Sequence, residues 1–320
     1  MKKILQGVFL AAMVFLSGAV SAQQAWPNGP IRIIVTTQPG IAVDVFARLY
    51  AEKLSKNLGV PVFVENKPGS AGIVGTDAAA KAAPDGNTVL WGYNSLFTIN
   101  PNLYAKLPFD PMKDLVPVVQ HLNASYILVA NNDFPAKTFK EFIDLAQSKK
   151  KKITYASFGA GTIAHLAMEM IELEAKISLV HVPYKQGAVN DVLAGHVNMM
   201  VQPTTGILPL ITSGKVRALA ATGKTRNPLL PDLPTITETL PGVAIEGWHG
   251  IWVPAGTPRP IIDRLHAEFM KITKSEEMQK QIANGGFEPA GKSPEETEAM
   301  IRKEFAEWGN IIRTKGIKIE

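Results

Sequence analysis

A strand, a small-residue turn and a helix, encoded one after another in residues 153–165, constrain the fold most. Residues 153–157 (ITYAS) favour a β-strand, residues 159–162 (GAGT) favour a turn, and apolar residues then recur at helical spacing from Ile163 to Leu173. The first backbone N–H groups of a helix lack partners within it and carry partial positive charge, so a turn without bulky side chains can hold an anion there. We therefore predict that this segment forms one half of an anion-binding cleft.

The same turn fits a loose dinucleotide-binding fingerprint. Residues 159–164 (GAGTIA) match G-x-G-x-x-G/A, which also requires an acidic residue about 20 positions later to hold the ribose hydroxyls. The next predicted strand, residues 178–182, runs instead into Pro183, Tyr184 and Lys185. Because no acid stands there, we predict no nicotinamide cofactor and expect no other cofactor.

The N-terminus has the features of a secretory signal peptide. Lys2 and Lys3 precede an apolar run over residues 4–16, and residues 20–22 (VSA) place small side chains where a signal peptidase cuts. The apolar run is too short to remain in a bilayer as a stable anchor. We predict that residues 1–22 are removed by cleavage after Ala22.

Composition then limits the class of protein. The 320 residues contain no cysteine, so the exported chain has neither a disulfide nor a lipid-modified cysteine. The formal charge is +5, and basic residues form local clusters such as residues 149–152, whereas nucleic-acid binding requires a basic face interleaved with aromatic residues. These features indicate a soluble periplasmic protein of a Gram-negative bacterium that does not bind nucleic acid.

The order of predicted elements indicates an α/β protein with two domains. Strand, loop and helix alternate three times in each half of the chain, which is typical of mostly parallel sheets flanked by helices. Residues 115–131 form an extended apolar passage between the halves, and residues 242–254 form a second one that can cross back. We therefore predict a discontinuous first domain, residues 23–125 plus 248–320, and a second domain, residues 126–247.

The predicted ligand site follows from this arrangement. Ligands of open α/β sheets lie outside the carboxyl ends of the strands. Two such sheets joined by two crossing segments would bring those ends face to face, forming a hinged cleft lined by backbone amides. This is the arrangement with which a binding protein closes on a small solute.

Eight spaced stretches of the sequence resemble the Bug family, the periplasmic solute receptors of tripartite tricarboxylate transporters. The likeness covers essentially the whole mature chain in order, which makes it far more specific than a single glycine motif. The stretches are PGIAVDVFAR at residues 39–48, VENKPGSAG at 64–72, PDG at 84–86, YAS at 155–157, GT at 161–162 with HL at 165–166, VPYK at 182–185, GKVRALA at 214–220 and PAGTP at 254–258.

The resemblance implies a type II-like "Venus flytrap", a monomer that captures an organic carboxylate and delivers it to the transporter's membrane subunits. In this family the ligand is a dicarboxylate, an aromatic carboxylate or a similar acid, held largely by main-chain amides and ordered water. The implied ligand-binding residues are Gln38, Ile41, Ala42, Ser70, Ala71, Ser95, Ser157, Gly159, Ala160, Gly161, Thr162 and Asp191.

Two departures from the family pattern touch the cleft loops. Ile41 stands where the family usually has a glycine and Val43 where it usually has a polar residue, and the segment 185–191 is about two residues shorter. Ile41 could add an apolar wall. We interpret this as a hint that the ligand is an aromatic or longer aliphatic acid.

Several chemistry-bearing residues have a simpler structural explanation. Arg48 is expected to pair with Asp44 four residues earlier on the same helix. His165 and Glu169 share a helix face, but two potential ligands do not make a metal site, so we predict none. Trp248 and Trp252 are interpreted as packing residues.

Two other functions stay open at this point. A periplasmic hydrolase would need a nucleophile with a base, yet there is no G-x-S-x-G elbow and the histidines fall in no recognisable catalytic pattern, so we predict no catalytic residue. An accessory that presents its ligand to a membrane sensor kinase would need the same closed state as a transport receptor. The sequence does not separate these two receptor roles.

Overall fold

The computed structural model describes residues 26–184 and 187–318, so the predicted signal peptide lies outside the described residues. No helix in the described part is both long and apolar enough to cross a bilayer. In chain order the elements are β1 (Ile31–Val35), α1 (Ala42–Leu58), β2 (Val62–Asn66), α2 (Ile73–Ala80), β3 (Thr88–Tyr93), α3 (Asn100–Leu103), β4 (Leu115–Ala124), β5 (Tyr126–Ala130), α4 (Phe139–Gln147), β6 (Thr154–Ser157), α5 (Ile163–Ala175), β7 (Val180–Pro183), α6 (Ala188–Leu193), β8 (Met199–Pro203), α7 (Thr204–Thr212), β9 (Arg217–Ala221), β10 (Gly247–Pro254), α8 (Arg259–Thr273), α9 (Glu276–Asn284), β11 (Phe287–Lys292) and α10 (Pro294–Thr314).

These strands form two sheets, and we call each sheet with its helices a lobe. The first sheet has the order β11-β4-β10-β3-β1-β2 and the second has the order β7-β6-β8-β5-β9. In the first, β1 lies between β2 and β3, and Ile33 pairs in parallel with Val64 of β2 and Val89 of β3. The α/β class with two helix-flanked sheets, predicted from the sequence, is confirmed.

The sheets are mixed, whereas the sequence pattern predicted mostly parallel ones. Strands joined through a helix are parallel, as in β1 with β2 and β6 with β7. The antiparallel pairs are made by β4, β5 and β10, which belong to the extended passages between the lobes, and by β11. A strand that enters a sheet from the other lobe has no helical crossover to return it in the parallel direction.

The closing helix α10 packs against both lobes. Its N-terminus is fixed by a capping box in which Ser293 and Glu296 exchange side-chain and backbone hydrogen bonds. Ile301 lies in an apolar cluster of the first lobe, whereas Trp308 and Ile312 lie in the core of the second. The division into a first domain of residues 23–125 plus 248–320 and a second domain of residues 126–247 stays a proposal. It assigns α10 to the first domain, although this helix also packs against the second lobe.

A buried histidine without partners lies in the first core. His121 is 0% exposed, and neither ring nitrogen has a hydrogen-bond partner. Its ring meets the edges of Tyr50 and Trp91, at centroid distances of 5.0 and 4.6 Å. Burial lowers the pKa of His121 well below its ordinary value, so the ring is neutral in the folded protein.

We expect His121→Leu to raise the free energy of unfolding by about 1–2 kcal/mol, because it removes buried polar atoms that make no hydrogen bond. The gain should be larger at pH 5.5 than at pH 7.5. The unfolded chain takes up a proton near the ordinary histidine pKa while the folded wild type does not, so acid selectively destabilises the wild type. Urea unfolding at both pH values measures this, with His196→Leu, at a largely exposed side chain, as the control. A loss of stability at both pH values would contradict it.

Candidate ligand-binding cleft

A cavity of about 520 Å³ lies between the lobes and is lined by both. Its wall includes the starts of three helices, with Ala42 of α1, Thr162 at the N-cap of α5 and Thr204 of α7. No lysine, arginine, aspartate or glutamate of the described residues lines it. An anion in this cavity would therefore be stabilised by backbone and neutral polar groups.

The start of α1 is the least satisfied of these helix ends. Its N-cap residue, Ile41, offers no side-chain hydrogen bond, and the N–H groups of Ala42 and Val43 have no partner among the described residues. All of these residues line the cavity. A 17-residue helix whose first amides remain free is a suitable site for a carboxylate.

Asp44, in the first turn of the same helix, does not compete for that position. Its carboxylate accepts hydrogen bonds from the Gly40 N–H at 2.9 Å, Asn66 Nδ2 at 2.8 Å and Arg48 Nε at 3.0 Å. Burial alone would raise the pKa of Asp44, but these hydrogen bonds outweigh it and lower the pKa. The pairing of Arg48 with Asp44 predicted from the sequence is confirmed.

The turn before α5 uses some of the amides that the sequence predicted as anion donors. The Gly161 N–H donates to His165 Nδ1 at 3.0 Å, and the Gly159 N–H donates to Ser157 Oγ at 3.1 Å. The Thr162 side chain caps the helix by accepting from the His165 N–H. The N–H groups of Ala160 and Ile163 have no partner among the described residues and remain available at the cavity.

This turn also touches the first lobe. Gly161 has φ +77°, and a Cβ atom there would lie 2.3 Å from Cδ1 of Leu103 in α3. Leu103 in turn packs against the core of the second lobe. The turn and α3 thus meet across the cavity, and a larger residue at position 161 would displace the Leu103 side chain.

The structure brings together part of the predicted ligand-binding set. The predicted residues that line the cavity are Ile41, Ala42, Ala71, Ser95, Ala160, Gly161 and Thr162. The others do not line it: Gln38 and Ser70 are exposed, Gly159 is half-buried, and Ser157 is buried with its Oγ 2.6 Å from His181 Nε2. Asp191 instead accepts a 2.5 Å hydrogen bond from the Tyr184 hydroxyl. Ligand contact stays a prediction for every one of these residues.

Other cavity residues were not predicted from the sequence. Tyr126 and His249 come from the two crossing passages, and Leu103 and Phe158 add apolar surface on opposite lobes. Trp248 is 2% exposed and donates to Glu304 Oε2 at 2.8 Å, so it packs as predicted but also reaches the cavity wall. No local motif marks these residues, because the packing of the two lobes brings them together from distant parts of the chain.

His165 belongs to a hydrogen-bonded network. Its Nε2 lies 3.4 Å from Glu169 Oε1, which also accepts from the Tyr155 hydroxyl at 3.0 Å, and Lys315 Nζ lies 3.0 Å from Glu169 Oε2. Across residues 26–184 and 187–318, no cluster of three or more histidine, aspartate or glutamate side chains is placed to bind a metal. The network positions the turn before α5 by holding His165 against the Gly161 amide.

The chain is similar to known proteins of one family. The model of the tripartite tricarboxylate transporter family receptor (TctC) matches residues 46–317. A UPF0065 protein of Pseudomonas sp. is 35% identical over 97% of this chain and 93% of its own, and BugT of Bordetella pertussis is 31% identical over 98% and 97%.

Two solved structures are similar over nearly their full length. An R. palustris protein with adipate is 28% identical, with a TM-score of 0.79 over 92% of this chain and 99% of that one. MatC from Rhodopseudomonas palustris, with bound malate, is 27% identical, with a TM-score of 0.75 over 90% and 100%. The resemblance to Bug-type receptors found in the sequence is confirmed.

Proposed function

This chain belongs to the tripartite tricarboxylate transporter receptor family, and we propose that it captures a small organic carboxylate in the cavity between its lobes for delivery to the membrane subunits of such a transporter. The family consists of periplasmic solute-binding receptors, not enzymes. We propose that the mature receptor begins after Ala22 and acts as a periplasmic monomer without a cofactor.

The free amides at the start of α1 are the observation on which this proposal depends. A carboxylate placed there would accept hydrogen bonds from Ala42 and Val43 of one lobe and from Ala160 and Ile163 of the other. Hydrogen bonds to a charged group contribute about 1.5–3 kcal/mol each, and a helix N-terminus adds about 0.3–1 kcal/mol. Donors from both lobes stabilise the closed state, since they meet one anion only when the lobes come together.

The cavity walls favour an acid with an apolar body. Ile41 and Phe158 are each 46% exposed, and both line the cavity, together with Leu103. The similar structures with adipate and malate make a carboxylate the reasonable ligand class. The apolar walls favour the longer aliphatic acids and the aromatic acids over short polar ones.

A panel of carboxylates tests the proposal by thermal shift and calorimetry. Succinate, adipate, benzoate and octanoate are suitable probes, and we expect a rise in melting temperature with at least one of the last three. A ligand at 100 times its Kd stabilises the folded state by about 2.7 kcal/mol. No shift with any of the four would contradict the proposed function, and a clear preference for succinate would contradict the role of the apolar walls.

A further inference from the structure

We propose that Tyr126 and His249 form a second recognition point in the cavity, which selects acids whose far end carries an uncharged hydrogen-bond acceptor, such as an amide carbonyl group, over dicarboxylates. This inference rests on the proposed function, because it specifies which class of organic acid the receptor takes. Both side chains line the cavity.

The tautomer of His249 is fixed by a neighbour. The indole Nε1 of Trp91 can only donate, and it lies 3.3 Å from His249 Nδ1. Nδ1 is therefore the acceptor, and the neutral ring carries its hydrogen on Nε2. Burial lowers the pKa of His249 to about 4, so the ring is neutral at pH 7. The Nε2–H has no partner among the described residues and remains available as a donor.

Tyr126 lies where the chain passes from β4 to β5, and its ring packs directly on Gly247. A Cβ atom at Gly247 would lie 2.9 Å from Tyr126 Cε2 and 3.1 Å from its hydroxyl oxygen. The register pairs Gly247 of β10 with Ala124 of β4. Tyr126 follows Ala124 by two residues, so this pairing brings Tyr126 to the strand that carries His249. The Tyr126 hydroxyl makes no hydrogen bond within the described part of the chain, and burial raises its pKa to about 12. It therefore stays protonated and can donate.

The balance of charges in the cavity favours a ligand with one negative charge. The amides at the starts of α1 and α5 can compensate one carboxylate, but the N–H of Thr204, at the start of α7, already donates to the Ser125 carbonyl at 3.1 Å. A second carboxylate would leave water for a site that offers only neutral donors and no cation, which is costly. A carbonyl group carries a much smaller desolvation cost and can accept from Tyr126 and His249.

A matched series of six-carbon acids tests this selection. Hexanoate, adipate and adipic acid monoamide share the carboxylate end and differ only at the far end. We expect calorimetry at pH 7.5 to show the monoamide binding roughly 10-fold more tightly than either of the others. Benzoate, benzene-1,4-dicarboxylate and 4-carbamoylbenzoate repeat the comparison for an aromatic body.

Two conservative variants assign the effect to these side chains. Tyr126→Phe removes only the hydroxyl, and His249→Asn can keep an acceptor for Trp91 while removing the distant N–H. In each variant the preference for the monoamide over hexanoate should fall toward one. Tyr50→Phe, which removes a hydroxyl in the first core bonded to Thr273, is the control and should preserve the preference.

The possible failures are distinguishable. Adipate binding as tightly as the monoamide, or a preference that survives both substitutions, would overturn the second recognition point while leaving the receptor function intact. If no acid of either series binds, the proposed function is overturned and this inference with it.

Discussion

Replacing Gly161 by aspartate is expected to weaken carboxylate binding by at least about 100-fold, which corresponds to roughly 3 kcal/mol. The new Cβ would lie 2.3 Å from Leu103 Cδ1, so the Leu103 side chain would have to move and the wall of the cavity would change. The added carboxylate would also repel an anion at the amides of Ala160 and Ile163. Calorimetry with the tightest-binding acid of the panel measures the loss.

A second glycine separates this effect from backbone strain. Gly161 and Gly214 have similar left-handed conformations, φ +77° and +68°, but a Cβ atom at Gly214 would meet nothing within 4 Å, and Gly214 does not line the cavity. Each aspartate variant pays a left-handed penalty of about 1–2 kcal/mol and should lower the melting temperature by a few degrees. Only the Gly161 variant should lose the ligand. Unchanged affinity there would remove this turn from the binding site.

The local parts of the fold were predictable from the sequence. The strand at residues 153–157, the glycine turn and the helix that follows appear as predicted, because β-favouring residues, glycines and helical spacing act over only a few residues. The extended passage at residues 115–131 was also found, and it became β4 and β5. These features were sufficient to predict two lobes with a cleft between them.

Helix and strand breakers hide some elements from a reading of the sequence. The helix α7 begins at Thr204 and continues through Pro209, although proline in a helix interior usually breaks the helix. The strand β11 was not predicted because it contains Pro289 and Gly291, and pairing with β4 at the sheet edge overrides their low strand propensity. Tertiary contacts stabilise both elements.

The chemistry of the cleft depended on contacts that no local pattern encodes. The acceptance of the Gly161 N–H by His165 could not be predicted, since it depends on the rotamer of a side chain four residues away. Tyr126 and His249 are more than 120 residues apart and meet the same cavity only through strand pairing. The starts of helices can therefore be predicted from the sequence, whereas a structure is needed to show which of their amides and which side-chain donors remain free for a ligand.

Lys315, at the C-cap of the closing helix α10, joins this helix to two carboxylates of the second lobe. Lys315 Nζ lies 3.0 Å from Glu169 Oε2 and 3.3 Å from Glu172 Oε2, and the two carboxylates are only 13% and 7% exposed. Burial alone would raise the pKa of Glu169, but hydrogen bonds from His165 and Lys315 outweigh it and lower the pKa to about 2. Burial and the neighbouring Glu169 charge raise the pKa of Glu172.

We expect Lys315→Met to lower the free energy of unfolding by about 3 kcal/mol at pH 8, because it leaves two facing buried carboxylates without their cation. The loss should be smaller at pH 5. Without Lys315, the pKa of one of the two carboxyl groups rises in the folded state above its unfolded value, so this group takes up a proton there. A group with a raised folded pKa stabilises the fold at low pH and loses that effect as the pH rises. Lys303→Met, on the exposed side of the same helix with Glu307 at 3.8 Å, should change stability by less than about 0.5 kcal/mol. Adding Glu172→Gln to Lys315→Met should recover part of the loss at pH 8. Denaturant unfolding of the wild type, the two single variants and this double variant at both pH values measures these differences. A loss of stability that did not depend on pH would show that Lys315 has a purely steric role.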